Sequence, residues 1–227
     1  VEPIPRRAGE RRMIRVELAD EPLSFDTKVR QPGLRALAEL AGEPGLPPRK
    51  GRPREPVANS RSAIPADKFP SYWTKVLPEL RVAYGHICGY VCIYIEPVTG
   101  AASVDHMLPK STSWQEAYEW RNYRLACSLM NSRKNDYQDV LDPFEIGNDW
   151  FHLELVGYQV IPRTDLEPMD KARVQATIDR LKLNDRDCLS IREEYASNYF
   201  QREISLDYLR RRAPFLAREI ERQGKAL

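Results

Sequence analysis

The sequence predicts an α+β fold, with a small strand-rich segment set into a mostly helical chain. Apolar residues recur at helical spacing near residues 32–41 and 69–84, and again over 169–181, 186–199 and 206–222. Between them, the run Ile87-Cys-Gly-Tyr-Val-Cys-Ile-Tyr-Ile-Glu reads as a strand. It is followed by a turn at Pro97-Val-Thr-Gly-Ala and a short return strand, Ala102-Ser-Val-Asp-His. With 42% hydrophobic and 30% charged residues over 227 positions, the chain has the composition of an ordinary globular protein and the length to bury a sizeable core.

Three zones follow in order. Residues 1–44 hold one strand, Met13-Ile-Arg-Val-Glu-Leu, and one helix, Pro32-Gly-Leu-Arg-Ala-Leu-Ala-Glu-Leu-Ala, closed by Gly42. Residues 45–66 form a polar, proline-rich connector in which Leu46-Pro-Pro-Arg-Lys-Gly-Arg-Pro-Arg-Glu-Pro carries four basic residues against one acid. It is read as a solvated linker, with a phosphate-contacting arm as the sharper alternative. Residues 67–227 form the main domain. Its first helix, Phe69–Tyr84, is kinked or split by Pro78. After the expected hairpin, Ser113 and Glu116 form a capping-box pattern for a short helix. A further helix covers roughly Cys127–Asn135, and the three C-terminal helices are scaffold.

Composition excludes several classes. No run of 18 apolar residues exists, so no membrane-spanning helix is expected. No apolar h-region follows the charges of Val1-Glu-Pro-Ile-Pro-Arg-Arg, so no secretory signal is expected in this stretch. Four cysteines in a chain of this size do not make a disulfide framework, and a reducing cytoplasm is the expected location. The net charge of +2 does not by itself announce a nucleic-acid binder.

The chemistry concentrates between Asp105 and Lys134. Hydrolysis of a phosphodiester needs a water nucleophile, a base, and a cation that neutralises charge on the phosphate. Asp105 offers a carboxylate and Asn131 an amide carbonyl. Both are hard oxygen donors suited to Mg²⁺ or Mn²⁺. His106 has an ordinary pKa of about 6.5 and is available as a base near neutrality. Adjacent strand residues point to opposite faces, so Asp105 and His106 must sit at a strand end or bulge to converge.

The run Ser103-Val-Asp-His-Met-Leu-Pro-Lys-Ser, together with Glu119-Trp-Arg-Asn-Tyr-Arg-Leu-Ala-Cys-Ser-Leu-Met-Asn-Ser-Arg-Lys-Asn-Asp, resembles the HNH signature of the ββα-metal nucleases. The resemblance covers residues 87–136 and implies a ββα-metal core within the helical domain. It also implies His106 as general base, Asp105 and Asn131 as holders of the divalent ion, and Asn122 as a brace for the loop that orients His106. Lys134, with Lys110, would face phosphate, or Lys134 would stabilise the motif. The expected activity is endonucleolytic, on DNA rather than RNA. The alternative is a catalytically silent scaffold that binds nucleic acid or assembles into a larger complex. Leu181-Lys-Leu-Asn-Asp-Arg and Ile191-Arg-Glu are similar to the helical tail of HNH nucleases found beside ATPases in Septu-type and retron-linked antiphage systems, which implies a defence-system or ATPase partner.

One departure concerns zinc. Many members of that family carry two Cys-x-x-Cys knuckles, whereas Cys88-Gly-Tyr-Val and Cys127-Ser-Leu-Met keep only the first cysteine of each. A closed site needs four ligands. Structural zinc is therefore not expected, and Val91 and Met130 are expected to fill the space as core. Cys188 reads as a small buried hydrophobe. His86 and His152 match no part of the motif.

Overall fold

A computed structural model describes residues 15–44, 51–147 and 149–227. The fold is α+β, with seven α-helices and two small antiparallel sheets among the described residues. None of these helices is long and apolar enough to cross a membrane.

Helix α1 (Gln31–Leu40) follows a π-helical turn at Asp26–Arg30, has proline in its first turn, and stops before Gly42, whose φ of 73° suits a residue without Cβ. It buries Ala36, Leu37 and Leu40 alongside Phe25 and Val29. Gly33 lies directly under the Tyr118 ring, and a Cβ there would overlap it. Glycine thus lets α1 dock on the aromatic group that walls the site. The strand expected at 13–18 does not form over 15–18, and residues 13 and 14 lie outside the described residues. Of the connector, residues 51–65 are irregular apart from a short 3₁₀ turn at Arg61–Ala63, and a second such turn begins at Ala66. Its described arginines are engaged: Arg54 with Glu39 and the Tyr72 hydroxyl, Arg52 with Glu55, and Arg61 with Glu43.

The helix expected over 69–84 is split. A 3₁₀ turn at Tyr72–Val76 leads into α2 (Leu77–Ala83), which Pro78 opens from its first turn, where its missing N–H costs nothing.

The hairpin differs from the sequence expectation. Strand β1 (Ala102–His106) forms as expected, but its partner is β2 (Tyr123–Cys127), with Asp105 opposite Arg124 and His106 opposite Tyr123. Residues 87–96 instead make a tight turn held by one bridge, Ile87 to Tyr94. There Cys92 adopts a positive φ and donates its amide to the Cys88 carbonyl. Cys88, Tyr90, Val91, Cys92 and Ile95 of this turn are buried, while Ile87, Ile93 and Tyr94 are half-buried, without the alternation of a strand. The capping box at Ser113 also fails: Trp114–Glu116 is a 3₁₀ turn, with no cap hydrogen bond from the serine side chain.

Helix α3 (Ser128–Lys134) follows β2 directly and packs on both strands. Asn135, at φ 45°, ends it. Strands β3 (Phe151–Leu153) and β4 (Val160–Pro162) form a second small sheet that the sequence reading lacked. Helices α4 (Pro168–Leu181) and α5 (Arg186–Phe200) match expectation. The last expected helix breaks at Ala213 into α6 (Leu206–Arg212) and α7 (Pro214–Arg222), since Pro214 can begin a helix but not continue one. Arg133 ties α3 to this scaffold, donating to the Leu181 carbonyl at 3.0 Å and pairing with Asp185, the N-cap of α5. The position of α3 is thereby set from both sides, by the sheet below and by the C-terminal helices.

Candidate functional site

A cleft of about 420 Å³ opens between the end of β1 and the outer face of α3. Asp105, His106, Lys110 and Asn131 line it, together with Trp73, Ser103 and Asp136. Four of the six residues expected at the site thus share one cleft. The other two, Asn122 and Lys134, lie behind it.

His106 ends β1 and is buried among rings. Trp73 meets it edge-on at 4.7 Å and Tyr123 at 5.1 Å. Its Nε2 lies 2.9 Å from the Ala117 carbonyl oxygen. A carbonyl can only accept, so Nε2 carries the proton, and the neutral ring keeps its lone pair on Nδ1. Burial, reinforced by the charges of Lys110 and Lys134, pushes the imidazole pKa down to about 3, against the hydrogen bond to Ala117. The ring is therefore neutral at physiological pH.

This has a measurable consequence. An imidazole NMR titration is expected to find His106 still neutral at pH 5, with its proton on Nε2; a midpoint near the ordinary value of about 6.5 would contradict the buried geometry. The sign for stability follows. With the folded pKa below the unfolded one, the His106 contribution is full above about pH 6.5 and is lost as pH falls toward 3. Asp105, whose pKa is raised, acts in the opposite sense.

Asp105 is 2% exposed and, like His106 at the end of β1, lines the cleft. The Tyr90 hydroxyl donates to its Oδ2 at 2.5 Å, and the Lys134 ammonium lies 3.4 Å from its Oδ1. Burial raises its pKa, while Lys134 and Tyr90 oppose that rise and favour the carboxylate. Asn131, one turn into α3, donates from Nδ2 to Ser103 Oγ (3.1 Å) and the Val104 carbonyl (3.4 Å). Those bonds fix the amide orientation and leave Oδ1 as the acceptor end.

Asn122 holds the loop after β1. Its Oδ1 accepts from the Leu108 amide at 2.7 Å, and its Nδ2 donates to the Leu108 and Glu116 carbonyls at 3.0 Å each. The loop it closes contains Ala117, the acceptor for His106. Lys134 is fully buried, donating to the His106 carbonyl at 2.8 Å besides facing Asp105. Of its two expected roles, a phosphate contact is not available to an ammonium in that position; supporting the motif is. Lys110 does reach the cleft. Its ammonium lies 4.9 Å from the Trp73 ring centroid, and burial lowers its pKa.

Sequence reasoning missed Trp73, Tyr90 and Asp136. Asp136 stands two residues after Lys134, receives the Ser111 hydroxyl at 2.8 Å, and was within reach of the motif. Trp73 and Tyr90 are distant in sequence and gave no signal. His86 stacks on Tyr94 away from the cleft, and His152 in β3 does not line it either. Among the described residues, no group of three or more His, Cys, Asp or Glu side chains could hold a metal. Asp105 and Asn131 both line the cleft and carry oxygen donors, the type that hard ions prefer.

No family model matches the chain, and no curated protein sequence does.

Proposed function

We propose that the chain is a metal-dependent endonuclease of the HNH type, with a ββα-metal core formed by β1, β2 and α3, acting on DNA. The observation that carries this reading is the meeting of Asp105, His106 and Asn131 in one cleft, with the His106 tautomer fixed by Ala117. Asp105 and Asn131 would hold Mg²⁺ or Mn²⁺, which when bound supplies positive charge against the phosphate and the departing oxygen. The chain's own residues do the rest. His106 Nδ1 accepts a proton from the attacking water. Asn122 and the Ala117 carbonyl keep the ring in the orientation that leaves Nδ1 free for this. Lys110 brings a positive charge to the phosphate from the side of Trp73.

Arg30, Arg54, Arg124, Arg133 and Arg218 are paired with acids, which takes these five away from a nucleic-acid backbone. This agrees with a net charge of only +2 and favours delivery of the substrate by a partner, such as an ATPase of an antiphage system.

A second reading is a scaffold that binds or assembles without cutting. It draws on the burial of Asp105 and His106, at 2% and 7% exposure. Supercoiled plasmid and single-stranded RNA, each incubated with the purified chain and Mg²⁺ or chelator, separate the two. The nuclease reading expects Mg²⁺-dependent nicking of the plasmid. Binding without cleavage of either substrate, with every divalent ion tried, would replace it with the scaffold reading.

A further inference from the structure

We propose that Cys88 and Cys127 are a redox pair that closes to an intramolecular disulfide when the protein meets a peroxide. The inference does not rest on the nuclease reading.

The two thiols come from segments 39 residues apart that the fold binds together. The Gly89 amide donates to the Leu125 carbonyl at 2.8 Å, so the 88–96 turn lies along β2. One step further, the Cys127 amide donates to Cys88 Sγ at 3.4 Å. The neighbouring Cys88 thiol is the largest influence on Cys127 and holds its pKa below the ordinary thiol range, while burial pushes Cys88 up. One sulfur is thus predisposed to be a thiolate, with a protonated thiol beside it. Access differs in the same sense: Cys88 is fully buried and Cys127 only partly. Both line a cleft of about 250 Å³, which admits a molecule the size of hydrogen peroxide.

The chemistry balances with the peroxide as oxidant. The Cys127 thiolate attacks one peroxide oxygen; an S–O bond forms, the O–O bond breaks, and hydroxide leaves to become water with the proton the thiol gave up. Sulfur is oxidised by two electrons and the peroxide is reduced. The Cys88 sulfur then attacks Cys127 Sγ, the S–O bond breaks, and the departing hydroxide takes the Cys88 proton as a second water. Two thiols and one peroxide become one disulfide and two waters. Of the other cysteines, Cys92 is buried with its pKa pushed up to about 12, and Cys188 lines the same cleft but accepts from Arg133 and sits beside Asp185, with burial pushing its thiol up. The new bond would tie the turn to the junction of β2 and α3, four residues before Asn131.

The test is thiol counting by mass spectrometry. The full chain is treated with hydrogen peroxide, unfolded, alkylated and digested without reduction. The expected result is loss of two of the four alkylatable thiols, a linked peptide pair containing Cys88 and Cys127, and full recovery after dithiothreitol. Cys88→Ser should instead stop at sulfenic acid on Cys127, trapped by dimedone, and Cys127→Ser should lose no thiol pair. Four alkylatable thiols after treatment, a linkage through Cys92 or Cys188, or a disulfide between chains would each overturn the proposal. So would stoichiometric zinc or copper released from the untreated protein by thiol modification, because those sulfurs would then be ligands.

Discussion

Replacing His106 by Ala is expected to lower the rate of plasmid nicking by about 10²- to 10⁴-fold, the usual loss when a general base is removed. The ring is packed between Trp73 and Tyr123, so Ala also leaves a void. His106→Gln controls for this: its amide can still donate to the Ala117 carbonyl and fills much of the volume, yet it cannot act as a base. Both variants should lose nicking, and His106→Gln should keep the parental circular dichroism and melting behaviour. Nicking by His106→Gln at close to the parental rate would remove the imidazole from the mechanism.

Lys134→Met should be the most destabilising single change near the site. The ammonium has no exposure, donates to the His106 carbonyl and faces the buried Asp105. Methionine preserves much of the bulk but strands a carboxylate that is itself 2% exposed. Breaking a buried pair from one side costs about 3–5 kcal/mol, a fall in Tm on the order of 10 °C for a chain of this size. If the stranded charge is the cause, Lys134→Met combined with Asp105→Asn should lose less than Lys134→Met alone, because a neutral amide needs no counter-ion. Thermal melts of the parent, both single variants and the double variant measure this. A single-variant loss below about 1 kcal/mol would mean that the pair contributes little.

The motif residues were legible in the sequence because they crowd into 30 positions, Asp105 to Lys134, with Pro109 marking the end of β1. Helix α3 was legible from its own spacing. The partner of β1 was not. Tyr123–Cys127 is five residues long, follows a 3₁₀ turn, and has four of its five side chains buried, so it lacks the alternation that betrays a half-exposed strand. The run 87–96 drew the strand assignment instead, because β-branched and aromatic residues packed into a turn have the same composition as a strand. Distance in sequence hid the rest. Trp73 and Tyr90 reach His106 and Asp105 only through tertiary packing, and the docking of Gly33 on Tyr118 depends on a helix more than 80 residues away.

The central claim is that Asp105 and Asn131 supply the oxygen atoms that bind the divalent ion His106 works beside. A Mg²⁺ titration of the nicking rate tests it, comparing the parent with Asn131→Ala and Asp105→Asn, the latter chosen to keep the shape and an acceptor for Tyr90. Asn131→Ala is expected to raise the Mg²⁺ needed for half-maximal nicking by on the order of 10- to 100-fold, and Asp105→Asn by more, because it removes the charged member of the pair. Parental nicking by both variants at limiting Mg²⁺, or nicking by the parent in excess chelator, would contradict the account.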